Sequence, residues 1–245
     1  NTYIIIRSGA DPNNVYNISP SFTVSPYIEV TYPNSTGIIW NVSEYPGITW
    51  STWNGTGALS TVDIWYNNTS GWNRIGNGIN ATNGTWTWSS IPASRVSETV
   101  TIRVAKNDTG PSPVSPYDDS SVIAIRGKLN ITRPLDAGNT VFRVSDNEAI
   151  NWTADGFGGS DLVRLKFARY GNFSDPGNTT TIAENVSAQS NGTEWTNIPD
   201  NITSTGKILI EWQTNTTVKD TSDSFSVKGK LNLTSPNSGI FNVSE

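Results

Sequence analysis

Apolar and polar residues alternate along most of this chain. In Leu129-Asn130-Ile131-Thr132 and in Thr99-Val100-Thr101-Ile102-Arg103-Val104 every second position is apolar, which is the period of a strand with one buried face. Such runs end at Asn-Gly, Asp-x-Gly or Pro turns, residues that set the backbone for reversal. No stretch of helical length carries helical spacing. The pattern predicts an all-β fold made of tandem immunoglobulin-like antiparallel β-sandwiches arranged head to tail.

The alternating runs themselves recur. Ile28-Glu-Val-Thr-Tyr-Pro33, Leu129-Asn-Ile-Thr-Arg-Pro134 and Leu231-Asn-Leu-Thr-Ser-Pro236 line up. Each leads through a turn to an aromatic-x-Val-Ser-acid segment: Trp40 to Glu44, Phe142 to Asp146 and Phe241 to Glu245. Further on, Ile48-Thr-Trp50 matches Ile150-Asn-Trp152, and Val62-Asp-Ile-Trp-Tyr66 matches Val163-Arg-Leu-Lys-Phe167. Trp88-Ser-Ser-Ile-Pro92 matches Trp195-Thr-Asn-Ile-Pro199. A closing strand recurs as Ser21 to Val24, Val122 to Ile125 and Ser224 to Val227. The period, about 100 residues, is the size of one sandwich domain.

The order of blocks therefore divides the chain into four parts. Residues 1–26 read as the C-terminal strands of a preceding repeat, 27–127 and 128–229 as two whole repeats, and 230–245 as the first strands of a following one. The end fragments are each too small to bury a core, so the expectation is a window onto a longer tandem chain, with strand addition between copies as the alternative. Only Ser25-Pro26-Tyr27, Arg126-Gly127-Lys128 and Lys228-Gly229-Lys230 separate closing from opening strands. Linkers this short do not behave as flexible coil, and a rod of consecutive sandwiches is expected.

The closing strands share an Asp-x-Ser-x-x-Phe/Ile pattern. Taken with Leu-x-(Ile/Leu)-Thr-x-Pro, Ile-x-Trp and Trp-x-x-Ile-Pro, it makes the chain resemble the KNH-like, Ser/Thr-rich immunoglobulin-type tandem repeats of fungal wall proteins and very large microbial surface proteins. The resemblance spans both whole repeats. It implies a cell-surface or fibre role and brings no catalytic residues.

Composition narrows the chemistry. The 245 residues are 35% hydrophobic with ten Trp, enough for domain-sized cores. No apolar run approaches the roughly 20 residues of a membrane helix, so membrane insertion is not expected. The net charge is −5 and the basic residues are scattered, which argues against nucleic acid as a partner. Cys, His and Met are all absent. Disulfides, thiolate or His metal sites and the familiar triads are thereby excluded. Asp118-Asp119 reads as a turn, and Asp155-Gly-Phe-Gly-Gly-Ser-Asp161 as a loop between strands, because no helix follows to hold a phosphate. No carboxylate pair suits glycoside hydrolysis. The chain reads as a non-enzyme with no cofactor and no metal.

One chemical signal stands above background. Of 28 Asn, 19 open an Asn-x-Ser/Thr sequon, whereas random placement gives about seven. They are Asn17, Asn34, Asn41, Asn54, Asn67, Asn68, Asn80, Asn83, Asn107, Asn130, Asn151, Asn172, Asn178, Asn185, Asn191, Asn201, Asn215, Asn232 and Asn242. Asn54, Asn83 and Asn191 precede Gly and are expected on turns. Asn130 and Asn232 are expected in strands, pointing outward beside inward Leu and Ile. None has an acidic residue two positions upstream, which favours an archaeal or eukaryotic type of N-glycosylation over the stricter bacterial one.

Trp50, Trp88, Trp152 and Trp195 recur at matched positions and are expected in cores. Trp53, Trp65 and Trp72 do not recur. Alternation turns Trp65 away from Ile64, toward a sugar, the protein's own glycan or a neighbouring chain. The expectation is thus a structural extracellular glycoprotein, part of a rigid surface fibre, filament or sheath. Its expected partners are other copies or further repeats of the same chain. The alternative is an adhesin or carbohydrate-binding array whose exposed aromatics hold an external polysaccharide.

Overall fold

The computed structural model describes residues 2–53, 59–135 and 140–232. Among them, regular structure consists of strands and single-turn 3-10 helices. A short antiparallel pair comes first, β1 (Ile5–Arg7) with β2 (Tyr16–Ile18). Nine strands follow: β3 (Tyr27–Tyr32), β4 (Ile39–Asn41), β5 (Gly47–Trp53), β6 (Thr61–Asn67), β7 (Trp72–Asn80), β8 (Thr85–Thr87), β9 (Ser97–Lys106), β10 (Val114–Asp119) and β11 (Ile123–Arg126). Nine more repeat them: β12 (Lys128–Arg133), β13 (Val141–Arg143), β14 (Glu148–Asp155), β15 (Leu162–Ala168), β16 (Thr179–Ser187), β17 (Gly192–Trp195), β18 (Thr203–Trp212), β19 (Lys219–Thr221) and β20 (Phe225–Lys228). The chain divides into two compact units after Arg126.

The two units have one topology. The first pairs β3-β5-β8 as one sheet and β4-β11-β9-β6-β7 as the other, with β10 also on β9. The second pairs β12-β14-β17 and β13-β20-β18-β15-β16, with β19 on β18. In both, the second strand of the repeat lies parallel to the closing strand, as β4 to β11 and β13 to β20. Each unit is an immunoglobulin-like antiparallel sandwich, and the chain is a tandem of them.

The recurring motifs are the residues that fill and close these sandwiches. Trp50 and Trp152 are buried, and each indole N–H donates to the carbonyl of a buried alanine, Ala81 at 2.9 Å and Ala188 at 2.8 Å. A buried indole requires such a partner. Trp40 meets Trp88 edge to face, and Phe142 meets Trp195 likewise. The Val-Ser-acid turn and the Ile-Pro corner are joined by backbone bonds. Ser43 N donates to Ile91 O and Ile91 N to Glu44 O, while Ser145 N donates to Ile198 O and Ile198 N to Asp146 O. Ser43 and Ser145 both hold a left-handed backbone, at φ 64° and 66°, and the corner bonds keep them there.

Asp118 and Asp119 lie in β10, not in the turn expected from the sequence. The strand persists because both carboxylates are used. Asp119 grips Arg103 through two bonds of 2.5 and 2.6 Å. Asp118 reaches the other sheet and accepts the N–H of Val30 at 2.8 Å, and Asp220 accepts that of Ile131 at 2.7 Å. Two residues on, Ser120 Oγ accepts from Ile102 N and Ser222 Oγ from Ile208 N, both at 2.9 Å.

A single residue, Gly127, stands between β11 and β12. A Cβ there would lie 2.7 Å from the Phe157 ring and 3.0 Å from Asp155 O, so only glycine fits this buried position. At the other end, Leu231 and Asn232 belong to no strand, and Leu231 is fully exposed. Asn232, expected to point outward from a strand, is exposed but belongs to no strand among the described residues. Residues 233–245 lie outside the described residues.

Replacing Asp118 or Asp220 by Ala leaves a first-strand N–H without its charged acceptor. Each change is expected to cost its own unit about 2 kcal/mol in chemical denaturation, and Asp118→Asn, which keeps an acceptor oxygen, clearly less.

Candidate functional site

Two features were candidates for function, the sequons and the unmatched aromatics. Asn54 and Asn242 lie outside the described residues; the other seventeen sequon asparagines are all described, and none is buried. Asn17, Asn34, Asn80, Asn83, Asn130, Asn151, Asn172, Asn185, Asn191 and Asn232 are exposed. Asn41, Asn67, Asn68, Asn107, Asn178, Asn201 and Asn215 are half-buried. Asn130 points outward between buried Leu129 and Ile131. Asn83 closes the 3-10 helix Ala81–Asn83, and Asn191 caps the matching helix Ala188–Ser190 in a left-handed conformation at φ 56°.

Local hydrogen bonding sorts these asparagines. In four sequons the Asn oxygen accepts the backbone N–H of the sequon's own Ser or Thr: Asn67 from Thr69, Asn80 from Thr82, Asn172 from Ser174 and Asn215 from Thr217. That is an Asx turn, and it leaves the nitrogen, the atom a glycan would join, out of the bond. In three others the nitrogen itself donates: Asn41 to Glu44, Asn107 to Asp63 and Asn178 to Asp175.

The aromatic candidates end differently from their expectation. Trp65 is turned away from the Ile64 core face, yet it is only 2% exposed. Its neighbours in register are Arg74 on β7 and Arg103 on β9, and the Arg74 guanidinium lies over the ring at 5.2 Å. The alternation located the face, but long arginine stems cover it. Arg103 in turn sits between the Trp72 ring at 4.0 Å and the Tyr117 ring at 3.7 Å, pinned by Asp119. The ring faces that a sugar would need are held by the protein's own cations. Trp65 Nε1 is buried without a partner among the described residues.

Beside this ladder lies a group the sequence reading missed. Asp63 is wholly buried and accepts from Asn107 Nδ2 at 2.6 Å, Gly78 N at 2.9 Å and Arg74 Nη1 at 3.1 Å. The matched residue in the second unit is Arg164, of opposite charge, bonded to buried Glu211 at 2.6 Å and near Glu184 at 3.5 Å. Lys166, matching Trp65, reaches Glu211 at 2.8 Å. Burial alone would raise the Glu211 carboxyl; the bonds from Lys166 and Arg164 outweigh it and hold the group below the ordinary glutamate value. The only signal in the sequence was the pairing of Asp63 with Arg164 in otherwise matching strands.

Trp53 remains open, half exposed and 5.4 Å from the exposed Tyr27 ring. It borders a hollow of about 460 Å³ floored by Trp50, Ala81 and Gly84, with Thr52 and Thr82 on its wall. In the second unit the same cross-strand register pairs Lys128 with Asp155, so the aromatic pair does not recur. The glycine loop between β14 and β15 buries Phe157 and bonds Gly158 N to Asp161. Among the described residues no three His, Cys, Asp or Glu side chains gather as metal ligands. No helix there is long and apolar enough to cross a membrane, which says nothing of β-barrels.

No family model and no curated protein matches this chain. Solved structures similar to it include fibronectin(III)-like modules of CbhA from Clostridium thermocellum, at 13% identity and TM-score 0.28 over 82% of this chain and 94% of that one. Three N-terminal domains of the outer capsid protein Hoc of bacteriophage RB49 match at 10% identity and TM-score 0.30, covering 84% and 71%. Tandem Ig repeats of Dlar match at 11% and 0.26, covering 84% and 98%. Likenesses at this level carry no argument about this chain.

Two substitutions test these assignments. Trp65→Ala is expected to destabilise the first unit by about 3 kcal/mol, as a buried aromatic does and an exposed ligand platform does not; thermal denaturation reads the difference. Because the Glu211 carboxyl is depressed on folding, its contribution is present above the ordinary glutamate range and lost as pH falls through the folded value. The second unit is therefore expected to weaken in acid, and Glu211→Gln, less stable at neutral pH, to lose that share of the pH dependence in denaturation curves.

Proposed function

We propose that this chain is a structural extracellular glycoprotein, a stretch of a rigid tandem-repeat surface fibre, filament or sheath, with no catalytic role. The observation that carries the reading is the placement of the sequons: a set nearly three times larger than chance, of which no described member is buried. Random Asn-x-Ser/Thr triplets in a β protein would fall on inward positions as well. Two further features support it. The sandwiches follow one another with one residue between strands, and the residues that recur between units are those that fill and close them. The residues that differ, Asp63 against Arg164 and Trp65 against Lys166, lie on an outer face, where each unit neutralises its own charges.

The alternative, an adhesin or carbohydrate-binding array, draws on the Tyr27–Trp53 pair and its hollow. An array gains from repeating its site, and this one is replaced by Lys128 and Asp155 in the next unit. The first reading is therefore preferred. The intact mass of protein from its natural source is expected to exceed the 26.6 kDa of the polypeptide by several glycans per copy. Glycopeptide mapping should place them on exposed sequons such as Asn130, Asn151 and Asn185 ahead of Asn107, whose nitrogen serves buried Asp63. A mass equal to the bare chain would remove the reading.

A further inference from the structure

Two sequons and an aromatic pair meet at one place in the first unit, and all of them are missing from that place in the second. Trp50 N donates to Gly84 O at 2.9 Å, and Trp152 N to Asn191 O at 3.2 Å. These bonds align the single-turn helices that come just before, Ala81–Asn83 with Ala188–Ser190. Asn80 and Asn83, each opening a sequon, thus stand where the second unit has Ser187 and Ser190. On the neighbouring strands Tyr27 and Trp53 stand where it has Lys128 and Asp155. The core beneath does not change. Trp50 Nε1 on Ala81 O and Trp152 Nε1 on Ala188 O are the same bond.

The geometry of the rim explains what the aromatics adjoin. β5 and β8 pair as far as Thr49 with Thr85 and the Trp50–Gly84 bond. Beyond it β5 runs on to Trp53, while the other segment turns away through its 3-10 helix. The hollow of about 460 Å³ is the wedge between them, with Ser51, Thr52 and Trp53 on one side and Ala81, Thr82 and Gly84 on the other. Asn83 sits between two of these lining residues and is exposed. Its side chain makes no hydrogen bond among the described residues, whereas the Asn80 oxygen is taken by Thr82 N and Oγ1. In the second unit the residue at the Thr82 position, Gln189, spans the equivalent gap and donates to Phe157 O at 2.6 Å. Where the glycan acceptors are absent, a side chain of the protein bridges the wedge.

We propose that the first sugars of a glycan on Asn83 lie in this hollow, with their C–H faces on Trp53 and Tyr27. A sugar ring is apolar on its faces and polar at its edge, and the wedge matches both. The two aromatic rings, 5.4 Å apart, are 52% and 54% exposed, and the hydroxyls of Ser51, Thr52 and Thr82 line the rest. The inference rests on the glycoprotein reading, and it gives the one open aromatic pair an occupant from its own chain.

Thermal unfolding of the full chain, made with and without N-glycans, tests it. Trp53→Ala is expected to lower the melting temperature of the first unit by about 5 °C more in the glycosylated chain than in the bare one, the scale of one aromatic contact in a domain of this size. In the glycosylated chain Asn83→Gln should cost a similar amount, and Trp53→Ala added to it no more than it costs in the bare chain. Asn54→Gln and Asn80→Gln should leave the Trp53 effect at full size. An equal Trp53 effect with and without glycans, or a coupling that follows Asn54 or Asn80, would overturn the proposal. So would binding of soluble N-acetylglucosamine oligomers by the glycosylated chain, lost in Trp53→Ala, because the hollow would then stand open to an outside ligand. A glycosylated chain with Asn83 unmodified would defeat this inference alone, whereas a bare polypeptide mass from the natural source would defeat the glycoprotein reading.

Discussion

Each sandwich is closed by a carboxylate that crosses from one sheet to the other. The first strand of a repeat is the edge of a three-stranded sheet, β3 beside β5 and β12 beside β14, so its outward N–H groups have no strand to pair with. An edge left this way invites association with any passing strand. Asp118 and Asp220 fill the gap with a charged acceptor at Val30 and Ile131, and Ser120 and Ser222 fix the strand that carries them. The remaining features follow from that closure. The first strand held in place buries Ile28 and Val30, or Leu129 and Ile131, over the indoles of Trp50 and Trp152. A charge-assisted bond joining residues about ninety positions apart also ties the end of the domain to its beginning.

Between the units, the inside is conserved in kind and the outside only in balance. Trp50, Trp88 and Ala81 have identical counterparts in Trp152, Trp195 and Ala188. On the outer face the first unit buries an acid among an arginine, an asparagine and a glycine N–H, and the second surrounds a glutamate with an arginine and a lysine. Burying either charge alone would cost several kcal/mol, so the constraint is satisfaction of the group and not its identity. A binding site shared along an array would hold identity fixed at such positions.

The sequence was most legible where the constraint is periodic. Alternation and the recurring blocks located the sandwich cores, and Leu129-Asn130-Ile131 turned out buried, exposed, buried as the period requires. It was least legible where a side chain acts across the fold. Trp65 was assigned to the right face and the wrong environment, because a period of two says which way a residue points and nothing about the arginines of neighbouring strands. Asp118 and Asp119 looked like a turn because two adjacent acids disfavour a strand on their own. Their partners, Val30 and Arg103, are distant in sequence and invisible to local propensity. Of the candidate site, the exposure of Asn83, Asn130 and Asn191 could be read in advance. The use of the Asn107 nitrogen by buried Asp63 could not, since it depends on a loop brought home by the β6–β9 pairing.

Surface chemistry separates the two whole units from the strand pair that precedes them. The units guard their outer faces with Arg103–Asp119, with Arg164, Lys166 and Glu211, and with outward Asn130 and Asn151 in the small sheet of the second. Charges and bulky polar groups at such positions keep sheets from stacking on one another. At the equivalent register the strand pair shows Ile5 and Ile18, and its inner face shows Ile4 and Ile6. The backbone register of the pair is that of β9 and β10, so what separates it from the units is side-chain chemistry and not strand pairing.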